Sequence, residues 1–285
     1  VAGTYNTLMR AFARKHDDQQ ARIVRTGVLR GAEEFSLGPV ESDTAVILVH
    51  GFLGAQNNFG DLQQRLAAAG FHVRALRLPG HGTTPLDLEK TPSADMLNYV
   101  AEAVREAKRD HDRVYLVGHS MGSTLCVLAS TFTDVDGIIL GAPHFKVTHV
   151  WWYGLPVETS NLLTYWAVHW VYKSDGFIRV RRPEAKEKIV SYRYVPTRSA
   201  RNLDKLAANA RHPDTLAMVE CPVLIFHGAH DSASSIEAAQ NAFAAIASDD
   251  KTFITLEESD HHVYMDYDRE QVYTEVTAWL TNRSH

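Results

Sequence analysis

Apolar residues along this chain follow two patterns in turn. Residues 45–49, 114–117 and 222–227 are continuous apolar runs rich in Val, Ile and Leu, the signature of strands buried on both faces. Further strands are predicted at 71–78, 136–140 and 251–256. Between them apolar residues recur three or four positions apart, as on one face of a helix: Leu62, Leu66 and Ala69; Met96, Val100 and Val104; Val272, Val276, Trp279 and Leu280. Gly70 closes the first of these helices as a C-cap, Thr91 and Pro92 open the second as N-cap and first helical residue, and another helix is expected at 234–247. Two short runs at 22–29 and 34–37, punctuated by Gly31 and by Gly38-Pro39, read as an antiparallel entry to a sheet. This alternation predicts an α/β fold with a mostly parallel central sheet and helices on both faces.

The rhythm fails in two places. In residues 1–25, an extension, Tyr5, Leu8, Met9 and Phe12 share a helical face flanked by Arg10, Arg14 and Lys15. One reading is a peripheral membrane or self-association contact through residues 1–15. The simpler expectation is a helix packed on its own domain. Residues 144–213 hold Trp151, Trp152, Tyr153, Tyr165, Trp166, Trp170 and Tyr172 between two core strands. They are expected to form a cap, or lid, lying over the C-terminal edge of the sheet and enclosing an apolar channel. The core is then residues 26–143 and 214–285.

Candidate chemistry centres on Gly118-His119-Ser120-Met121-Gly122, a G-x-S-x-G turn between a predicted strand and a predicted helix. Such a turn lifts the serine hydroxyl clear of the sheet and points a helix N-terminus at it. A serine hydroxyl near neutral pH needs a base, and the base needs an acid to fix its tautomer. His50-Gly51-Phe52-Leu53-Gly54 follows a buried strand and is assigned as the oxyanion loop, with the backbone N–H groups of Phe52 and Met121 as donors. His50 and His81 are read as structural. Asp231 ends a strand after a glycine turn, and His261 and His262 follow the last strand. By position alone His262 competes with His261, and Asp260 or Glu258 with Asp231. Asp231 is preferred for its place at a strand end, and the order Ser120, Asp231, His261 is the one expected of an α/β-hydrolase.

The 285 residues carry a net charge of −5 and no long basic block, so no nucleic-acid partner is expected. No apolar stretch is long enough to span a membrane and no signal peptide is evident. The expected location is therefore cytoplasmic, with association to a membrane surface through residues 1–15 as the rival. Cys126 and Cys221 sit in apolar runs and read as free thiols, and the histidines form no H-E-x-x-H pattern. No metal and no cofactor are expected.

From residue 28 to 279 the chain resembles α/β-hydrolase-fold serine esterases of the bacterial monoacylglycerol lipase and carboxylesterase type. The resemblance rests on Val28-Leu29-Arg30-Gly31-Ala32-Glu33, His50-Gly51-Phe52-Leu53-Gly54, Gly80-His81-Gly82-Thr83 and the serine turn. Cys221-Pro222-Val223-Leu224-Ile225-Phe226, Ser259-Asp260-His261 and Met265-Asp266-Tyr267-Asp268 complete it. It implies that His261, two residues after Ser259, is the catalytic histidine, that Phe52 and Met121 donate to the oxyanion, and that a small mobile cap covers the site. The expected reaction is hydrolysis of a small-molecule ester with an apolar acyl chain, monoacylglycerol being the best single guess. Acyl transfer, amide or thioester cleavage on the same triad, and a non-catalytic small-molecule receptor are the alternatives. The chain departs from the family at Ser123, where relatives often have glycine, and in a longer, tryptophan-rich cap with Tyr192-Arg193-Tyr194. Arg193 has two readings, selection of an acidic or strongly polar head group and plain surface solvation, the second being the simpler.

Overall fold

The computed structural model describes residues 2–148, 164 and 166–284. In chain order its regular elements begin with α1 (Ala2–Asp18), β1 (Phe35–Leu37), β2 (Thr44–Val49), α2 (Leu62–Ala68) and β3 (His72–Ala75). They continue with α3 (Pro85–Lys90), α4 (Ser93–Asp110), β4 (Arg113–His119), α5 (Met121–Ser130) and β5 (Gly137–Gly141). Before the next core strand come β6 (Trp170–Tyr172), α6 (Pro183–Lys186), β7 (Tyr194–Pro196), α7 (Thr197–Ala210) and α8 (Pro213–Leu216). The chain ends with β8 (Val223–Gly228), α9 (Ile236–Ala245), β9 (Lys251–Leu256) and α10 (Arg269–Thr281).

Seven strands form one sheet in the order β1-β3-β2-β4-β5-β8-β9. The β1–β3 pairing is antiparallel and the others are parallel, as the early short runs and the later alternation predict. The strands β2, β5 and β8 are buried at every position, which is why their sequences are continuous rather than alternating. Two apolar layers cover the sheet. One gathers Val100 and Val104 of α4, Leu125 of α5, Leu206 of α7 and Ala239 of α9. The other gathers Leu62 and Leu66 of α2 with Val272 and Val276 of α10. Each Val or Leu side chain removed from water in this way contributes roughly 1.5–3 kcal/mol. The register Val49↔Gly118 and His119↔Gly141 brings the C-terminal ends of β2, β4 and β5 level with one another, so the loops that follow them share one rim of the sheet.

One expectation changes. Thr91 does not cap α4, whose N-cap is Pro92. The threonine–proline signature operates seven residues earlier: the Thr84 side chain accepts from the Asp87 N–H and Pro85 opens α3, and Thr91 caps the C-terminus of that helix. Helix α1 packs on its own chain, the simpler of the two readings, and does so through polar bonds, one of them from Tyr5 of the apolar face. The Asn6 side chain donates to the Ala167 carbonyl (2.8 Å) and accepts from the His169 N–H (2.8 Å), and the Tyr5 hydroxyl donates to the Trp170 carbonyl (3.2 Å). Leu8 and Phe12 are each 51% exposed. Among the described aromatic residues of 144–213, Trp170 is buried while Trp166 and Tyr172 are exposed. Trp151, Trp152, Tyr153 and Tyr165 lie outside the described residues.

Candidate active site

The turn between β4 and α5 holds Ser120 at φ 54°, ψ −115°. This is the left-handed region, which costs a non-glycine residue about 1–3 kcal/mol and persists only where its surroundings enforce it. Here the Ser120 N–H donates to the Gly141 carbonyl (2.9 Å). The flanking glycines are required by space. A Cβ on Gly118 would lie 2.5 Å from the Ser123 Cα, and one on Gly122 would overlap the Val49 carbonyl oxygen.

The Ser120 hydroxyl lies 2.8 Å from His261 Nε2, and His261 Nδ1 lies 2.9 Å from an Asp231 carboxylate oxygen. Because that carboxylate accepts from Nδ1–H, Nε2 is left as acceptor for the hydroxyl proton. The same oxygen lies 3.2 Å from His227 Nε2, whose N–H also has the Ser234 carbonyl as acceptor at 3.1 Å, and the other accepts the Ala233 and Ser234 N–H groups at 2.8 and 2.7 Å. Burial opposes ionisation of Asp231, but the His261 charge and the bonds from His227 and His261 outweigh it and hold the carboxyl far below the usual carboxylate range.

The positional rivals are engaged elsewhere. His262 donates its N–H to the Arg179 carbonyl (3.1 Å) and sets its ring against His119, 5.0 Å between centroids. The Asp260 carboxylate accepts from the Ser232 N–H and hydroxyl and from the His261 N–H, so it shapes the loop that carries the imidazole. Glu258 is exposed.

The loop after β2 presses against the serine: a Cβ on Gly51 would come within 3.1 Å of the Ser120 Cβ. Two histidines brace it. His50 donates from Nδ1 to the Gly51 carbonyl (2.9 Å) and accepts the Leu78 N–H at Nε2 (3.1 Å). His81 accepts the N–H of Leu53, which sits at φ 63° beside Phe52. Both are structural, as expected. The Met121 N–H opens α5 and has no acceptor inside the helix. The loop that carries Phe52 and the helix start at Met121 therefore meet at the serine turn.

Two contributing residues were missed in the sequence. His119 donates from Nε2 to the His261 carbonyl (3.0 Å), pinning the backbone of the loop that carries that imidazole. Its place in the variable slot of the serine turn gave no signal. His227 did give one, as a polar side chain closing an otherwise apolar buried strand.

Burial pulls His81 and His144 down to about 4 and, with the nearby His261, pulls His119 down to about 3. All three are neutral in the folded chain and take up a proton on unfolding below the ordinary histidine pKa of about 6.5. Their stabilising contribution is complete above that pH and is lost as pH falls toward 4, at about 2 kcal/mol each by pH 5. The melting temperature should fall steeply between pH 7 and pH 5, and less steeply in His144→Gln. A flat profile over that range would contradict the neutral assignment.

A cavity of about 370 Å³ opens above Ser120. Phe52, Leu53, Val171, Val195, Ala200 and Leu203 make much of its wall apolar, and Lys173 and Arg179 add two cations. Among the described lining residues there is no Asp or Glu. Among the described residues no group of three or more His, Cys, Asp or Glu is placed to hold a metal ion, and Cys126 and Cys221 are free thiols.

Residues 40–268 match the Hydrolase_4 family model, described as serine aminopeptidase S33. The chain belongs to this family. It is 31% identical over 253 residues to a thermostable monoacylglycerol lipase of Bacillus sp. (strain H-257), covering 86% of this chain and 92% of that protein. A carboxylesterase of Bacillus subtilis (strain 168) is 25% identical over 242 residues, covering 84% and 92%. A solved structure of the metagenome-derived lipolytic enzymes LipS and LipT superposes with a TM-score of 0.79 at 25% identity, over 90% of this chain and 99% of that one. The chain is thus an α/β-hydrolase of the lipase and esterase type, a carboxylic ester hydrolase. No helix among the described residues is long and apolar enough to cross a membrane.

Proposed function

We propose that this hydrolase cleaves the ester bond of monoacylglycerols, or of similar lipid-like esters with one apolar acyl chain, through an acyl-enzyme on Ser120. The observation that carries the reading is the unbroken hydrogen-bond relay Ser120–His261–Asp231 at the floor of a largely apolar cavity. As the Ser120 oxygen bonds to the carbonyl carbon, its proton passes to His261 Nε2. The Phe52 and Met121 N–H groups hold the charge on the carbonyl oxygen, each contributing roughly 3 kcal/mol to the barrier reduction. When the carbon–alkoxy bond breaks, His261 returns that proton to the leaving oxygen. A water molecule, deprotonated by the same imidazole, then releases the fatty acid and restores Ser120. Asp231 keeps the imidazole in the required tautomer and stabilises its charged form.

The lining favours an ester over the peptide amine of an aminopeptidase. A substrate ammonium needs a carboxylate to receive it, and the described walls offer cations instead. The neighbour at 31% identity, a monoacylglycerol lipase, supports the choice of alcohol.

A panel of monoacylglycerols and p-nitrophenyl esters with acyl chains from two to sixteen carbons, set beside amino-acid p-nitroanilides, tests the reading. The kcat/KM should rise with chain length until the apolar wall is filled and should exceed that of any anilide by at least 100-fold. Faster turnover of the anilides would overturn it.

A further inference from the structure

Cap arginines near the site are mostly spoken for. Arg193 pairs with Asp175, Arg182 lies 3.5 Å from Glu184, and Arg181 donates to the Glu258 carbonyl (2.9 Å). Arg193 therefore does not face the cavity, and its ion pair supports neither reading made from the sequence. The two cations that do line the cavity have no carboxylate partner among the described residues. Lys173 donates to the Ser191 hydroxyl at 3.0 Å, and the Arg179 guanidinium lies 5.2 Å from the centre of the Phe177 ring. Both side chains are half-buried. Partly desolvated charges with no counter-ion among the described residues are suited to an anion that arrives with the ligand.

Their position says which part of the ligand carries it. The leaving alcohol must lie on the His261 side, because His261 Nε2 returns the proton to its oxygen. Arg179 is fixed on that side by its carbonyl, which accepts the His262 N–H at 3.1 Å. Lys173 reaches the same side of the cavity, near enough for its charge to act on His262. The Ser191 hydroxyl that holds it precedes Tyr192, whose N–H donates to the Leu53 carbonyl (3.1 Å) in the oxyanion loop. The apolar wall left to the acyl chain includes Ala200 and Leu203.

We propose that Lys173 and Arg179 form a subsite for an anionic group, phosphate or carboxylate, borne on the alcohol portion of the ester. This rests on the ester-hydrolase reading above and extends its substrate class from neutral acylglycerols to acylated alcohols carrying negative charge. Arg179 supplies the planar fork suited to two anion oxygens and Lys173 a point charge beside it. Burial, with the Arg193 and Arg179 charges, pulls the Lys173 ammonium down to about 8, so at pH 7 it is still mostly charged and the arrival of an anion strengthens that state.

The test uses the full chain and hexanoyl esters kept monomeric in solution: 1-hexanoylglycerol, its 3-phosphate, and a hexanoylated glycerate carrying a carboxylate in the same place. A p-nitrophenyl hemiester of glutaric acid puts the anion on the acyl end instead. The wild type should prefer at least one anionic-alcohol ester to hexanoylglycerol by about tenfold or more in kcat/KM, and the better of the two identifies the anion. The glutarate hemiester should show no gain over p-nitrophenyl butyrate. Lys173→Met and Arg179→Met should each remove most of the preference through KM, leaving kcat/KM for hexanoylglycerol within about twofold. A wild type that treats charged and neutral alcohols alike overturns the subsite, and so do variants that lose both substrates equally. The wild-type comparison decides the matter even where a variant fails to fold. Loss of p-nitrophenyl butyrate hydrolysis in the wild type would instead count against the ester-hydrolase reading, which separates the two failures.

Discussion

Ser120→Ala is expected to lower kcat on a soluble p-nitrophenyl ester by about 10⁶-fold. The hydroxyl oxygen is the only side-chain atom of Ser120 lost in the change. Its side-chain hydrogen bond is the one to His261, at 2.8 Å. Alanine keeps the Cβ, so the turn at φ 54° and the Ser120 N–H bond to the Gly141 carbonyl can persist. Stability should therefore stay within about 1 kcal/mol of the wild type, as for loss of one hydrogen bond. Without the nucleophile the backbone donors and the cavity still bind and polarise an ester, which leaves a residual rate about 10³–10⁴ above water. Labelling by a fluorophosphonate probe should be stoichiometric in the wild type and absent in the variant. Retention of a tenth of the wild-type activity would move the nucleophile away from Ser120.

Asp231→Asn should cost about 10⁴-fold in kcat with little change in the fold, by analogy with the same change in other serine triads. One Asp231 oxygen accepts two backbone N–H groups, from Ala233 and Ser234, while the other faces His261 Nδ1 and His227 Nε2. In asparagine the two N–H groups fix the carbonyl oxygen on their side and turn the NH₂ toward the histidines. His261 Nδ1 must then accept, which moves the ring proton to Nε2, where it blocks uptake of the Ser120 proton. His227 Nε2–H meets a donor as well but keeps the Ser234 carbonyl as its acceptor, at 3.1 Å. The loss should appear in kcat rather than in KM. A drop of less than tenfold would mean that the backbone bond from His119 to the His261 carbonyl orients the imidazole without help from the acid.

The middle of the sheet was legible because β2, β5 and β8 are buried at every position and therefore leave continuous apolar runs; the half-buried β9 was expected at 251–256 and is Lys251–Leu256. Parallel order followed from the alternation with helices of period 3.6. The start of α4 was misread because a threonine–proline pair occurs twice in ten residues and pattern alone cannot choose between them. In α1 the apolar periodicity marked a helix correctly but not its packing face, since Asn6, a polar residue, makes the bonds that dock it.

At the site, sequence identified the turn that bears Ser120 and the loops that bear Asp231 and His261, because a strained strand-to-helix corner and strand ends have local signatures. Position in the chain could not separate His261 from His262 or Asp231 from Asp260. Those pairs differ by a single residue or by a loop crossing, and only the three-dimensional path of the loops determines which side chain points at Ser120. The same holds for His119 and His227, whose partners lie in the His261 loop and at Asp231. It holds too for Lys173 and Arg179, ordinary cations in the sequence that lack a carboxylate partner among the described residues. Local propensity and burial are written residue by residue, so the chain alone settles the fold class and the positions of its loops. Hydrogen-bond partners and charge pairing depend on distances between segments remote in sequence, and those exist only once the core has packed.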